Sequence, residues 1–210
     1  MAMTELLSTQ APVEELDDAC LIAAFKEGSH AAFQVLVRRY EGRVFNLCLR
    51  MVNDEVESTD LTQEVFLKVY RSIGNYQHDY AFYTWVYRIA VNACIDYMRK
   101  RKRHGNTVSL CVAGREGERE AGREMDIPDA SGIPDALLEQ AQLRSMMMDA
   151  IGQLSDKLRT IILLKEVEGF TYEEIADVLG CSRGTVKSRL FRARERLREL
   201  LGPAVAAGDL

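Results

Sequence analysis

Apolar residues recur along most of this chain at intervals of three and four, the spacing that gives an α-helix one buried face. Asp17 and Asp18 can cap a first helix through Cys20, Leu21, Ala24 and Phe25, which Gly28 stops. Ser29 opens a longer helix whose core stripe is Phe33, Leu36, Val37, Tyr40, Val44, Phe45, Cys48 and Met51. A third covers 54–73, with Leu61, Val65, Val69 and Ile73 inside and Phe66 beside them. Residues 73–82 lack a helical period and contain Gly74 and Asn75, so they read as a loop. The fourth helix spans 83–103, with Trp85, Ile89, Ala90 and Ala93 or Cys94 facing inward.

From 104 to 134 the pattern collapses into scattered Gly, Pro and charge, the composition of a flexible linker. The helical period resumes near Asp135 and runs through Leu143, Met146, Met147, Ile151 and Leu154, then Leu158, Ile161, Ile162 and Leu164. The methionines at 146–148 read as gap-filling core. Next comes FTYEEIADVLGCSRGTVKSRLFRARERLRELL, residues 170–201. Thr171 and Glu174 form a capping box, and Gly180 can adopt the left-handed conformation that ends a helix. Ser182 then caps a second helix with Val186, Leu190, Ala193 and Leu197 on one face. Two short amphipathic helices around a glycine turn, the second opening with Ser, Arg, Gly, Thr and Lys, give the helix-turn-helix pattern for the major groove.

The chain therefore reads as all-α with two helical domains. Residues 1–16 form a disordered acidic tail, 17–103 a first domain, 104–136 the linker, 137–201 a second domain and 202–210 a frayed tail. A net charge of −5 over 210 residues argues against nucleic acid until it is divided by segment. Residues 1–18 carry five acids and no base, and 111–142 carry eight acids against three bases. Residues 96–103 hold five bases and one acid, and 183–199 hold seven bases and two acids. Phosphate affinity follows the local patch, so overall acidity is no bar. An aromatic-rich loop with Tyr76, Tyr80 and Phe82, ahead of a helix ending in cations, also suits single-stranded nucleic acid. Core packing is the competing reading for Phe82 and Trp85.

Other chemistry finds little purchase. The five cysteines, at 20, 48, 94, 111 and 181, have neither CxxC nor zinc spacing, and read as reduced thiols, mostly buried. There is no phosphate loop or nucleophile elbow, and His30, His78 and His104 lie far apart, so neither an enzyme nor a cofactor is expected. No run of ~18 apolar residues is present and the first residues are acidic, which implies a cytoplasmic protein without membrane insertion.

DLTQEVFLKVYRSI (60–73), AFYTWVYRIAVNACIDYMRKRKR (81–103) and EGFTYEEIADVLGCSRGTVKSRLFRARERLREL (168–200) closely resemble regions 2.2, 2.3–2.4 and 4.2 of extracytoplasmic-function sigma factors of the sigma-70 family, most of all the sigma-E-like branch. The match covers roughly residues 17–103 and 137–200 in the family's order and spacing. The resemblance implies an initiation factor whose partners are core RNA polymerase, through β′ and β, promoter DNA in double- and single-stranded form, and an anti-sigma factor. It places Asp60, Gln63, Glu64 and Phe66 against the β′ coiled coil. It assigns −10 recognition and melting to Tyr76, Tyr80, Phe82, Trp85, Arg88, Asn92, Arg99 and Lys100, with Asn92 where relatives read a flipped base. It assigns −35 contacts to Ser182, Arg183, Thr185, Lys187, Ser188, Arg189 and Arg192.

Three departures stand out. Leu154 to Arg159 replaces the family's Leu-Pro-Glu and aromatic-Arg pair, with Ser155 or Asp156 expected to cap. Ser58-Thr59 replaces a small-acidic pair, and Arg183 replaces a frequent valine at a DNA-contacting position. The alternative is a stand-alone helix-turn-helix regulator acting without core polymerase, which leaves the first domain unexplained.

Overall fold

The computed structural model describes residues 16–77, 81–108 and 135–206, with side chains described as far as 103 before the gap and over 142–202 after it. All regular structure among them is helical. Helices α1 (Asp18–Lys26), α2 (His30–Val52), α3 (Glu55–Ser72) and α4 (Phe82–Val108) build the first domain, with a 3₁₀ turn at Ile73–Asn75. Helices α5 (Asp135–Gly152), α6 (Asp156–Ile162), α7 (Tyr172–Leu179) and α8 (Arg183–Ala206) build the second, with a π-helical turn at Leu163–Val167.

Local chemistry sets the boundaries. Asp17 accepts from the Cys20 amide, Ser29 from Ala32 and Asp54 from Glu57, so each helix of the first α-hairpins begins on a side-chain cap. Asn53 ends α2 in the left-handed region at φ 56°, a conformation that asparagine tolerates better than most residues. The Thr171–Glu174 capping box is complete, and Gly180 terminates α7 at φ 59°. The Ser182 hydroxyl accepts from the Thr185 amide at 3.2 Å and so starts α8.

Helices α2, α3 and α4 enclose the first core, where Leu36, Val44, Leu47, Val65, Val86 and Ala90 are essentially inaccessible. Each leucine and valine among them contributes ~1.5–3 kcal/mol by leaving water. The second core joins Ile161, Ile162 and Leu164 to Ile175, Val186 and Leu190. The two are continuous: α4 packs on α7, and α2 touches α5 and α6.

The structure departs from the sequence pattern in several places, and Leu143, expected in the core stripe, is 38% exposed. Helix α4 starts one residue early and runs to Val108, five residues beyond the expected end and into the linker span. Helix α8 passes Gly202 to reach Ala206, its later turns supported by the Arg196–Glu199 and Arg198–Glu195 pairs one turn apart. Met147 is 42% exposed and Met146 and Met148 only partly covered, because three consecutive residues cannot share one helical face. Ser155 sits at the N-cap of α6 without a capping hydrogen bond. The Asp156 carboxylate is drawn instead to Lys102 at 2.6 Å. Most of the expected linker and both tails lie outside the described residues.

Candidate nucleic-acid interface

The second domain presents α8 as an exposed cationic rod braced by α7. Val186, Leu190 and Ala193 are buried beneath it, which turns Lys187, Ser188 and Arg192 to solvent. Arg183, at the start of the helix, is held by Glu173 of α7 at 2.7 Å, and Arg194 by Glu166 at 2.7 Å. Both pairs are substantially exposed, so they orient the guanidinium groups more than they stabilise the fold. The Ser182 hydroxyl is engaged in capping and lies 2.9 Å from that of Thr185, while Ser188 donates to the Thr185 carbonyl at 3.1 Å. Arg189 turns away from this row to line a cleft of about 430 Å³ with Arg99, Lys102, Arg103, Asp156 and Lys157. The two basic helices thus meet across the domain boundary.

On α4, Arg88, Asn92, Arg99 and Lys100 are exposed, and Arg99 pairs with Asp96 at 3.2 Å. The aromatic residues behave differently. Tyr76 and Phe82 are 6% and 5% exposed, locked edge-on with ring centroids 5.6 Å apart. Their faces are not open to bases, because the two rings pack on each other and Phe82 also packs on Tyr40, with centroids 5.7 Å apart. Half-buried Trp85 rests on both, with centroids 5.2 and 5.8 Å away. Tyr80 lies outside the described residues. A concavity of about 670 Å³ opens beside this cluster, bordered by Asp18, Arg39, Tyr40, Ala81 and Phe82. Among the described residues Asn92 does not line it, so this concavity does not bring Tyr76 and Phe82 together with Asn92.

Helix α3 carries Asp60, Gln63 and Glu64 on its solvent face, Glu64 paired with Lys68 at 2.7 Å. Phe66 is half-buried in an apolar groove of about 470 Å³ with Phe33, Gln63, Leu67 and Tyr70. Leu67 is 55% exposed and Tyr70 42% exposed. Phe25 and Phe33 pack against Tyr70 at 5.3 and 5.1 Å. Sequence periodicity gave Phe33 to the core and no role to Leu67 or Tyr70. Their signal was present, since 66, 67 and 70 continue the polar stripe of 60, 63 and 64 at helical spacing.

The domain seam was invisible in the sequence. The Tyr83 hydroxyl donates to Glu174, and that of Tyr87 donates to Glu168 at 2.5 Å. Phe170 fits between the two tyrosines at 5.3 and 4.9 Å. Arg50 stands 3.5 Å from Glu168. Arg159 donates to the Met51 carbonyl at the end of α2 at 2.7 Å and to the Gly152 and Leu154 carbonyls of its own domain. Burial, then the hydrogen bond to Glu168, then the charge of that carboxylate push the Tyr87 phenol well above its ordinary range.

An all-α chain with a terminal helix-turn-helix, a second cationic helix and an exposed apolar groove defines a two-domain helix-turn-helix protein. The family profiles Sigma-70 region 2 and Sigma-70, region 4 match residues 36–104 and 144–197. The chain belongs to the sigma-70 family of RNA polymerase sigma factors, in its extracytoplasmic-function group. It is 36% identical over 189 residues to the RNA polymerase sigma-H factor of Pseudomonas aeruginosa, covering 89% of this chain and 94% of that one. It is 35% identical over 192 residues to the ECF RNA polymerase sigma-E factor of Escherichia coli K12, covering 91% and 98%. The fold is shared with CnrH, solved in complex with the cytosolic domain of CnrY, at a TM-score of 0.61, 24% identity and coverage of 89% and 97%. It is also shared with the sigma factor RpoE of Bartonella quintana, solved with the anti-sigma factor NepR, at a TM-score of 0.60, 24% identity and coverage of 81% and 96%. Among the described residues no helix is long and apolar enough to cross a membrane, and no cluster of potential metal ligands occurs.

The raised phenol ties the seam to pH. A group whose pKa is higher folded than unfolded stabilises fully below its unfolded value, about 10 for tyrosine, and loses that contribution as pH climbs past it. The urea midpoint should therefore hold up to about pH 10 and fall progressively as pH climbs above it. Tyr87→Phe should flatten part of that fall, leaving the share that Tyr40, also raised by burial and by Asp18, retains. Identical pH slopes for the two proteins would contradict the assignment.

Proposed function

We propose that this chain is a dissociable initiation factor that directs core RNA polymerase to promoters and opens DNA by binding unpaired bases, without turnover of a substrate. The observation that carries this reading is the braced N-terminal half of α8. Its exposed cations project from a helix-turn-helix with a complete capping box, the geometry of a major-groove reader. In this reading residues 17–103 form the region 2 domain and 137–201 the region 4 domain. Lys187 and Arg192 meet phosphates or bases of the −35 element, and Arg183, presented by Glu173, reads a base edge. Ser182, Thr185 and Ser188 set the backbone that approaches the phosphates, and Arg189 joins them once the basic cleft opens.

The −10 contacts divide by exposure. Arg88, Asn92, Arg99 and Lys100 reach the strand directly, while Tyr76 and Phe82 support Trp85 from beneath. Asn92 offers the paired donor and acceptor that a flipped base requires, and unstacking of a few kcal/mol must be recovered there. The apolar groove beside Phe66, flanked by Asp60, Gln63 and Glu64, is the docking surface for the polymerase β′ subunit. An anti-sigma factor is the expected inhibitor, as the two solved relatives have such partners or a cytosolic partner domain.

Simultaneous reading of the two elements requires a change of shape. Elements centred about 25 base pairs apart are separated by about 85 Å of B-form DNA. In this structure α4 and α7 are in contact, with Tyr83 and Phe170 at 5.3 Å. The described arrangement is then the unengaged chain, and polymerase holds the domains apart.

The direct test combines core polymerase, the full chain and genomic DNA, with transcript ends mapped by sequencing. Starts sharing two spaced motifs that appear only when the chain is added are expected. A footprint on duplex DNA by the chain alone, with no new starts, would favour a stand-alone regulator.

Asn92→Ala should slow open-complex formation by ~10-fold or more, corresponding to one or two lost hydrogen bonds, with core binding unchanged in a pull-down. Normal permanganate reactivity at −10 thymines would remove Asn92 from base capture.

Arg183→Ala and Lys187→Ala should each weaken −35 binding by ~1–3 kcal/mol where the contact is to a base, or lower the salt slope by about 1 where it is to phosphate. Binding titrations at several salt concentrations distinguish the two, and no change in either quantity would displace α8 as the reader.

A further inference from the structure

Two thiols in the first domain have no part in the proposed function. Cys48 of α2 and Cys94 of α4 are both fully inaccessible, and the Cys94 thiol donates to the Cys48 sulfur at 3.5 Å. A disulfide needs about 2.05 Å, so closure asks for an approach of about 1.5 Å shared between two side chains. The other described cysteines are differently placed: Cys20 is exposed on α1 and Cys181 half-buried at the helix-turn-helix.

We propose that Cys48 and Cys94 are an oxidisable dithiol that hydrogen peroxide converts to a disulfide, fastening α2 to α4 within the first core. The direction of attack follows from the surroundings. The hydrogen bond from Cys94 holds the Cys48 thiol below the ordinary range, against the opposing pull of burial. The same bond to Cys48, with burial, pushes Cys94 up. Cys48 is therefore the thiolate that attacks, since the thiolate and not the thiol is the nucleophile.

Its sulfur displaces hydroxide from one peroxide oxygen, and the hydroxide leaves as water with the proton that Cys48 gave up. The sulfenic acid formed has Cys94 beside it. Cys94 sulfur attacks Cys48 sulfur, the S–O bond breaks, and the hydroxyl departs as a second water with the Cys94 proton. Two thiols and one peroxide thus yield one disulfide and two waters. Access is set by opening of the core, so oxidation should proceed at the rate of local unfolding and not at that of an exposed thiol.

The test uses the full-length wild-type chain incubated with hydrogen peroxide, then denatured, alkylated, digested and mapped by mass spectrometry. The expected result is a loss of about 2 Da and one linked pair of peptides, containing Cys48 and Cys94, that dithiothreitol separates. The triple substitution Cys20→Ser, Cys111→Ser, Cys181→Ser should retain the full effect. Cys94→Ser should lose it and leave a dimedone-trappable sulfenic acid on Cys48. Recovery of Cys48 and Cys94 both alkylated, or linkage of either to another cysteine, would overturn the proposal, and because the wild-type map decides this, folding of the Cys94 variant is not needed.

Discussion

Helix α4 has to satisfy three environments with one set of side chains, and the rest of the structure depends on how it does so. Val86, Ala90, Val91 and Cys94 complete the first core. Tyr83 and Tyr87, one turn apart, face the second domain and receive Phe170 between them. Arg88, Asn92 and Arg99 occupy what remains, exposed to solvent. With 3.6 residues per turn the three sectors cannot be rotated independently. A change that rolls α4 to improve its packing also re-aims the residues proposed to meet DNA.

Charge is apportioned by the same logic. The cations of α8 are not a uniform brush: Glu173 and Glu166 of the second domain restrain Arg183 and Arg194, and pairs within α8 restrain Arg196 and Arg198. Lys187 and Arg192 remain turned outward between them. Restraint of this sort contributes little to stability at an exposed site, but it reduces the rotamer freedom that must be lost when a guanidinium fixes on a base. A chain of net charge −5 can in this way present a compact positive face without carrying a positive excess.

Much of the architecture was legible because it is local. Thr171 with Glu174, Gly180, Ser29 and Asp54 announce helix ends through bonds spanning three or four residues, and the structure makes those bonds. Core stripes such as Leu61, Val65, Val69 and Ile73 follow from helical period alone. The misses are non-local. Tyr83 meets Glu174 across 91 residues and Tyr87 meets Glu168 across 81, distances over which no periodicity speaks. Tyr76 looks like a free stacking surface in the sequence, yet it packs edge-on against Phe82, whose competing core reading the structure bears out through its contact with Tyr40 of a preceding helix. The groove at Leu67 and Tyr70 was hidden for the opposite reason, because apolar residues are assigned to a core before they are assigned to a surface.

The seam's composition bears on how the chain responds to its ionic surroundings. Its contacts are phenol to carboxylate, guanidinium to carbonyl and ring to ring, together with two ion pairs, Arg50–Glu168 and Lys102–Asp156. Bonds between a charge and a neutral group act at contact and are screened little by dissolved ions, unlike attraction between separated full charges. DNA binding through α8 and the end of α4 would follow counterion release and weaken steeply with salt. Osmotic upshift would then loosen the grip on promoters more than it loosens the seam, where only the two ion pairs are screened. Affinity and closure thereby respond to the same salt with different steepness within one small chain.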